Sequence, residues 1–361
     1  MIASQRSVVS RKTRHGRGEP VPRLDRGRDA TGGTGVTVVL PSYNARSFVV
    51  DQVESILNQT HPPDLLVIID DCSQDGTFEL LAECFSSEPR VTLGRNPRNI
   101  GQERTIELML SMVDTPYFAI SDHDDVWLPR KLEVSMAALL TTEADLVYSD
   151  LVIVNHTLER VAPSALRFSK MRPVRGKCPM ALLVRNPVHG CTVLGRRELL
   201  DFALPSPEAI PHFDRWLALV AASRGGIAFV EDSLVLYRQH GENVVGGVKP
   251  GMSGLRGNVR ARGMGSIGRY LKRRMTERIA MTEALLASDL GGRSLRVVRT
   301  FYMSSRLAKA ALVVPYLAVM VGAFRQSGIS SMCADVALSM ITPRVSMVRQ
   351  HSCEGVGTRD E

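Results

Sequence analysis

Three carboxylates follow directly on a short apolar run in the first half of the chain. The run 117–120 leads into Asp122, Asp124 and Asp125, and a proline soon afterwards opens a helical pattern. Carboxylate oxygens suit Mg²⁺ or Mn²⁺, and Mg²⁺ is usually held by one or two carboxylates together with substrate phosphates. These three residues are therefore candidate ligands of a divalent cation that binds with a diphosphate. The alternative is that they decorate the N-terminal turn of the next helix.

Two further groups of polar residues follow apolar runs that precede this one. Residues 41–44 (PSYN) come after the run 36–40, and Asp70 and Asp71 come after the run 65–69. If these runs are neighbouring parallel strands, their carboxyl ends meet in one crevice. Capping of the following helix is the preferred interpretation of Asp70, Ser73 and Asp75.

The elements that position these residues follow from the hydrophobic pattern. Continuous apolar runs, each followed by a helical pattern, are typical of a parallel sheet covered on both faces. The sequence therefore predicts a doubly wound α/β fold. The predicted strands are 36–40, 65–69, 91–93 and 117–120, and the predicted helices are 48–57, 77–85 and 102–112.

The alternation continues less regularly in the second half of the body. It includes a strand at 146–154, an apolar segment at 188–194, a helix at 213–223, and strands near 227–230 and 234–237. We interpret this half as the side of the same domain that receives a second substrate.

The net charge of +8 is unevenly distributed along the 361 residues. Residues 1–35 contain 8 basic and 3 acidic side chains, residues 36–248 contain 19 and 27, and residues 249–310 contain 14 and 3. The body is acidic and the flanks are basic. This distribution favours an anionic surface near the flanks and argues against nucleic acid as a partner of the core.

The two flanks lack the alternation of apolar runs and helical patterns that residues 36–248 show. Residues 1–35 are predicted to be a disordered basic tail, 249–275 a mobile basic connector, 276–345 a helical region, and 346–361 a flexible tail. The apolar stretch 311–324 is shorter than the ~20 residues that cross a bilayer. Two interpretations of the helical region remain open, which are a peripheral contact with an anionic membrane surface and a helical hairpin packed on the body.

Cysteine usage and the first residues bear on the compartment. The six cysteines have no CxxC pair and no regular spacing, which fits neither a disulfide framework nor a zinc site. The first twenty residues contain no apolar run of the length that a secretory signal needs. We therefore expect a reducing, cytoplasmic location, at the inner face of the cell membrane if the peripheral contact holds.

Seven stretches of residues 36–248 resemble family 2 glycosyltransferases, the inverting, nucleotide-sugar-dependent enzymes of the GT-A fold. The pattern is most similar to rhamnosyltransferase-like and cell-wall polysaccharide members. The stretches are VTVVLPSYNA at 36–45, SILNQTHPPDLLVIIDDCSQDGT at 55–77, NPRNIGQERT at 96–105, SDHDDVWLPRKLE at 121–133, NPVHGCTVLGRREL at 186–199, HFDRWLAL at 212–219 and LVLYRQHGENVVG at 234–246. The resemblance implies a mixed sheet with a C-terminal helical extension.

The resemblance assigns residues to the donor. It implies that Pro41, Tyr43 and Asp71 hold the nucleotide, with Asp71 accepting a hydrogen bond from the base, and that Asn99 and Gly101 shape the adjoining loop. The resemblance also implies that Asp122 and Asp124 are the pair that meets the ribose and the metal-diphosphate, with Asp125 nearby as a ligand or helix cap. The ion would be Mn²⁺ or Mg²⁺, and the division of roles among the three residues stays open. Arg238 and His240 lie in the motif that closes over the diphosphate.

On the acceptor side, the resemblance makes Asp214 the catalytic base that takes the proton of the attacking hydroxyl. The alternative is that Asp214 caps the helix from Arg215. His189 and Gly190 precede a strand expected to line the acceptor pocket.

The implied substrates are a nucleoside-diphosphate sugar, with a leaning toward dTDP-rhamnose, and a saccharide or polyprenyl-linked acceptor of cell-envelope synthesis.

Two rival interpretations of the function remain. A nucleotidyltransferase also uses acidic metal ligands, but it places a Gly-rich basic loop after its first strand, where this chain has PSYN. A non-catalytic RNA- or membrane-binding module would use the basic segment 249–310, although few aromatic residues accompany its arginines.

Overall fold

A computed structural model describes residues 34–208, 210, 212–239, 264–288, 290, 292, 296 and 299. Its first half alternates strands and helices as predicted. The strands are β1 (Val36–Ser42), β2 (Leu65–Asp70), β3 (Val91–Arg95) and β4 (Tyr117–Ile120), and the helices are α1 (Val49–Leu57), α2 (Thr77–Phe85) and α3 (Gln102–Leu110). The four strands pair in parallel in the order β3-β2-β1-β4. Their carboxyl ends therefore meet at one edge, as the sequence predicted.

Burial on both faces explains why these strands are continuously apolar. Along β2, Leu65, Val67 and Ile69 pack into one hydrophobic cluster, whereas Leu66 and Ile68 pack into a second cluster on the opposite face. The first cluster includes side chains of α3, and the second includes side chains of α1 and α2. At about 25 cal/mol per Å² of apolar surface removed from water, both faces contribute to folding stability.

Beyond β4 the sheet becomes mixed. The further elements are β5 (Val126–Trp127), α4 (Lys131–Leu140), β6 (Leu146–Val154), β7 (Arg160–Ala162), α5 (Ala165–Phe168), α6 (Pro179–Val184), β8 (Leu194–Arg196), α7 (Leu200–Ala203), α8 (Phe213–Ser223) and β9 (Ile227–Arg238). Strand β8 pairs antiparallel with both β4 and β6, while β9 runs parallel to β6 and antiparallel to β5. The result is a nine-stranded sheet of the predicted α/β class.

The apolar segment at 188–194 contains a 3₁₀ turn at Gly190–Thr192, and His189 and Gly190 precede the strand β8, as expected. One local prediction in this half is wrong. The two strands predicted near 227–230 and 234–237 are one strand, β9, whose pairing with β6 shifts register at Ser149 and Asp150. A local irregularity of this kind interrupts the hydrophobic pattern without ending the strand.

A further helix, α9 (Met264–Ala287), packs on the body. Ile279, Met281 and Leu285 are buried in the cluster that also contains side chains of α6 and α8. The predicted connector over 249–275 is therefore wrong for residues 264–275, because the apolar residues that hold this helix lie further along the chain. The rest of the predicted helical region lies almost entirely outside the described residues, as do both predicted tails. No helix in the described part of the chain is long and apolar enough to cross a membrane.

Gly195 joins the parallel and antiparallel parts of the sheet. It pairs with Phe118 across the β4–β8 ladder, and a Cβ atom at Gly195 would lie 2.6 Å from Cζ of that ring. Phe118 is fully buried, so its ring has little room to move. The ring therefore takes the space that a side chain on β8 would need.

We expect Gly195→Ala to lower the free energy of unfolding by about 1–3 kcal/mol, the usual cost of overpacking a core. Thermal unfolding followed by circular dichroism measures the change. Gly94→Ala on β3 is the matched control, because its new Cβ would lie 3.7 Å from Ile69, an ordinary contact. Equal stability of the two variants would contradict this account of Gly195.

Candidate active site

The turns after β1 and β2 are joined to each other. Asp71 donates its backbone N–H to the Ser42 carbonyl at 2.8 Å, and Asn44 donates its N–H to the Ser73 hydroxyl at 2.9 Å. The Asn44 side chain in turn accepts the N–H of Gln74 at 2.9 Å. The predicted nucleotide-binding turn is thus a stable platform, and the Tyr43 side chain projects from it with 43% of the residue exposed.

The predicted capping roles beside this turn are only partly right. Asp75 accepts the N–H and hydroxyl of Thr77, the first residue of α2, and so caps that helix. Asp70 instead binds Ser73 within the turn, and the residue that precedes α2 is Gly76, with φ of 82°. A helix entry through the left-handed region favours glycine.

The Asp71 carboxylate ties the neighbouring loop to the sheet. One oxygen accepts Nδ2 of Asn96 at 2.8 Å and the Ile100 N–H at 2.9 Å, and the other accepts the Gly101 N–H at 2.8 Å. Asn99 also accepts the Gly101 N–H, at 3.1 Å, as expected of a residue that shapes this loop. A carboxylate offers about four acceptor positions, so these three donors leave one position for a ligand N–H.

The first turn of α3 reaches two other parts of the crevice. Gln102 donates from Nε2 to Oδ1 of Asp122 at 3.0 Å. Glu103 accepts the backbone N–H groups of His212 and Phe213 at 3.1 and 2.7 Å. Sequence reasoning missed both roles, because the contacts of Glu103 span 109 and 110 positions of the chain.

The acidic residues after β4 are unequally placed. Asp125 is fully buried and Asp124 is 9% exposed, whereas Asp122 is half-buried. Possible ligand atoms of Asp122, Asp125 and the buried Cys191 lie within 4.8 Å of one another. The predicted ligands were Asp122, Asp124 and Asp125, whereas this group contains Cys191 in place of Asp124. Nothing in the sequence indicated this cysteine, because it lies in another segment of the chain.

Burial and mutual repulsion keep these carboxyl groups from ionising easily. Burial, with repulsion from Asp124 and Asp214, raises the pKa of Asp122 to about 7. Burial, with repulsion from Asp124 and Asp122, also holds the pKa of Asp125 well above its usual range. A cation among these groups would favour their ionised forms.

One buried atom tests whether this cluster fits a cation. Oδ1 of Asp125 accepts the Arg238 N–H at 3.2 Å, whereas Oδ2 is buried without a geometrically satisfactory hydrogen-bond donor. A buried polar oxygen without a partner is costly unless a ligand or ion satisfies it. The carboxylate oxygens of Asp122 and Asp125 therefore fit a Mn²⁺ or Mg²⁺ ion, whereas the Cys191 thiol is a softer ligand than these ions prefer.

Arg238, predicted to lie in the motif that closes over the diphosphate, makes its hydrogen bonds within the protein. It is only 4% exposed, and its guanidinium binds the Asp124 carbonyl at 2.9 Å, the His156 carbonyl at 2.8 Å and the Asp51 carboxylate at 3.2 Å. The side chain thus fixes the acidic turn from inside the protein, because β9 directs it toward the body. His240, the other residue predicted from this motif, lies outside the described residues.

Asp214 lies in the first turn of α8, whose start is bound by Glu103 of α3. It is half-buried, and it is near enough to Asp122 to contribute to the raised pKa of that residue. Burial raises the pKa of Asp214 to about 6; His212 opposes this rise and Glu103 adds to it. Oδ1 accepts the Arg215 N–H at 2.6 Å, so the capping interpretation is partly right as well.

The predicted acceptor residues adjoin Asp214. A Cβ atom on Gly190 would lie 3.7 Å from Cβ of Asp214, which places the two backbones side by side. His189 precedes this glycine, with its ring 6.4 Å from that of Tyr237, and burial lowers the pKa of His189. Gly190 therefore lies beside the candidate base, and the His189 ring lies near Tyr237.

Comparisons with known proteins agree with this arrangement. Residues 37–201 match the model of Glycosyl transferase family 2. The putative teichuronic acid biosynthesis glycosyltransferase TuaG of Bacillus subtilis (strain 168) is 26% identical over 211 residues, which cover 56% of this chain and 78% of TuaG. The UDP-Glc:alpha-D-GlcNAc-diphosphoundecaprenol beta-1,3-glucosyltransferase WfgD of Escherichia coli is 27% identical over 191 residues, which cover 51% of this chain and 69% of WfgD.

The crystal structure of S. aureus TarS 1-349 has the same fold. It superposes with a TM-score of 0.51 and 14% sequence identity over 85% of this chain and 89% of that one. The mixed sheet and the family match agree with the motifs at 36–45 and 121–133. Residues 37–201 therefore form a family 2 glycosyltransferase domain, and the described part of the chain has the GT-A fold.

Proposed function

We propose that this glycosyltransferase moves a sugar, with inversion, from a nucleoside-diphosphate donor to a saccharide or lipid-linked acceptor in cell-envelope synthesis, and that it needs a divalent cation. One observation carries the proposal: the first turn of α3 contacts both Asp122 and the start of α8, the helix that bears Asp214, and the two carboxyl groups are near enough for the charge of Asp214 to raise the pKa of Asp122. Single displacement needs such a pair, with leaving-group stabilisation on one side of the sugar and a base on the other.

In the proposed reaction, the acceptor hydroxyl oxygen forms a bond to the anomeric carbon while the bond from that carbon to the diphosphate oxygen breaks. Asp214 takes the hydroxyl proton, and the nucleoside diphosphate leaves with the electron pair of the broken bond. A Mn²⁺ or Mg²⁺ ion held by the acidic cluster supplies charge neutralisation for the diphosphate. The raised pKa of Asp214 suits the role of a base, because a group with a pKa of about 6 accepts a proton more readily than an ordinary aspartate and is still ionised near pH 7.

The donor nucleotide is proposed to lie on the platform formed by Pro41, Tyr43 and Asp71. The exposed ring of Tyr43 offers a surface for a base, and the remaining acceptor position of Asp71 suits an N–H of uracil or thymine. The resemblance to rhamnosyltransferases favours dTDP-rhamnose, whereas the name of WfgD points to UDP-glucose. Release of nucleoside diphosphate from a panel of nucleotide sugars, with and without Mn²⁺, decides between these donors.

The acceptor is proposed to approach past His189 and Gly190. The name of WfgD specifies a sugar on diphosphoundecaprenol, and that of TuaG specifies teichuronic acid biosynthesis. Residues 249–310 contain 14 basic and 3 acidic side chains, a charge that favours contact with an anionic membrane surface. A lipid-linked acceptor is consistent with such a contact. We therefore propose a peripheral position at the cytoplasmic face of the membrane.

Asp214→Asn should retain donor binding and lose about 10²–10⁴-fold in kcat, the usual contribution of a general base. In the unmodified protein kcat/KM should fall as pH drops through about 6, because protonated Asp214 no longer accepts a proton. Steady-state kinetics at saturating Mn²⁺ measure both effects. Asp201→Asn, on the exposed surface of α7, is the control and should behave like the unmodified protein. An active Asp214→Asn enzyme would remove the proposed base.

Asp122→Asn should weaken Mn²⁺ binding by about tenfold or more in the presence of nucleoside diphosphate, since one charged ligand is lost. Titration of the Mn²⁺ electron paramagnetic resonance signal measures the affinity directly. Asp114→Asn is the matched control, because this exposed residue lies before β4 and outside the cluster. Unchanged affinity in Asp122→Asn would place the cation elsewhere.

Asp71→Asn should loosen the loop after β3. The substitution replaces one acceptor oxygen by an amino group, and an unsatisfied buried N–H costs about 1–3 kcal/mol. Hydrogen exchange at the Ile100 and Gly101 amides should therefore accelerate, and nucleotide affinity should fall. Amide exchange unchanged from the unmodified protein would show that other contacts hold the loop.

A further inference from the structure

We propose that Glu103 is a positioning residue, which sets the place of the Asp214 carboxylate by holding the first turn of α8. The inference rests on the proposed function, because it concerns the base of the same reaction. Glu103 itself touches neither substrate nor cation in this account. It acts through the backbone that carries Asp214.

The contacts of Glu103 leave the start of α8 little freedom. Oε1 accepts the His212 N–H at 3.1 Å and Oε2 accepts the Phe213 N–H at 2.7 Å. The first N–H groups of a helix have no partner within the helix, and His212 provides no side-chain cap. A carboxylate satisfies these donors and also favours the positive end of the helix. Asp214 directly follows Phe213, so a shift of this turn would displace the proposed base.

The strained entry to α8 makes this external cap more important. His212 has a φ of 71°, in the left-handed region that residues other than glycine rarely adopt. Such a conformation persists when surrounding contacts determine it. Glu103 is the residue that binds the N–H of His212 directly, and its Oε1 lies 4.0 Å from Nδ1 of the same residue.

The residues that precede Glu103 in the first turn of α3 contact the acidic cluster and the nucleotide-binding turn. Gln102 binds Asp122 at 3.0 Å, and the preceding Gly101 is held by Asp71 at 2.8 Å. The body of α3 is anchored by buried Ile106 and Met109. One helical turn thus connects the proposed nucleotide, cation and base positions, so Glu103 fixes the distance across which the sugar must fit.

Glu107 offers a matched comparison one turn further along α3. It accepts the N–H and hydroxyl of Ser206 at 3.2 and 2.9 Å, and it pairs with Arg104 at 2.8 Å. It therefore also ties α3 to the segment that precedes α8. Its contacts stop short of the helix itself, so its removal tests general stabilisation without moving the base.

The experiment compares Glu103→Ala, Glu103→Gln and Glu107→Ala in the full chain, with the donor that supports turnover. Glu103→Ala should lower kcat about 10- to 100-fold, since a small misplacement of a reacting group has effects of this order. The KM for the donor should stay within about twofold, because the proposed donor contacts are intact. Glu103→Gln keeps one acceptor oxygen and should fall between Glu103→Ala and the unmodified protein.

Two measurements separate positioning from loss of stability. Hydrogen exchange at the amides of residues 213–216 should accelerate in Glu103→Ala and remain unchanged in Glu107→Ala. The kcat of Glu107→Ala should remain near that of the unmodified protein, whatever its melting temperature. Equal kcat in Glu103→Ala and Glu107→Ala would overturn the inference, as would unchanged exchange at the start of α8.

The failure of this inference is distinct from that of the proposed function. If Asp214→Asn is inactive while Glu103→Ala is fully active, the base stands and the positioning role is wrong. If Asp214→Asn is itself active, the proposed mechanism is wrong, and Glu103 has no base to position. Should Glu103→Ala fail to fold, Glu103→Gln takes its place in the test. A lower kcat with an unchanged KM for the donor would then support the inference, and an unchanged kcat would overturn it.

Discussion

Repulsion among carboxylates in one poorly solvated crevice is the interaction on which the rest of the site depends. Burial is the largest cause of the raised pKa of Asp122, and the charges of Asp124, Asp214 and Glu103 each raise it further. Two unit charges 4 Å apart repel by about 4 kcal/mol at an effective dielectric constant of ~20. The fold must hold these groups together against that repulsion. A crevice of this charge is complementary to a divalent cation that arrives with its own anionic ligand.

The hydrogen bonds around the crevice explain how the fold withstands this repulsion. Arg238 holds the acidic turn from within, through its backbone N–H on Asp125 and its guanidinium on the Asp124 carbonyl. Lys131 is buried nearby, with its ammonium 3.4 Å from the centre of the Trp127 ring, and burial lowers its pKa to about 7. Arg238 thus stabilises the turn from its protein side. The side that faces the crevice keeps its negative character for a ligand.

The sequence predicted the parts of this site that depend on parallel strands. Pro41, Asp71 and Asp122 follow continuous apolar runs, and parallel pairing brings the ends of such runs to one edge whatever their distance in sequence. Contacts set by side-chain direction were not predictable in the same way. Arg238 stands in a motif associated with the diphosphate, yet the register of β9 turns it into the body. Cys191 joins the cluster from a 3₁₀ turn in a distant segment of the chain, and no motif in the sequence marked it.

The position of Asp214 depends on a different kind of constraint. The family match ends at residue 201, so it covers the acidic cluster but not the helix that carries the candidate base. In the fold, α8 approaches the crevice after a left-handed residue, and the first turn of α3 meets it there. Since α3 also binds Asp122, one short helix contacts both the acidic turn and the start of α8. Under the proposed function, a shift of this helix would move the proposed base while leaving the strand-end residues in place.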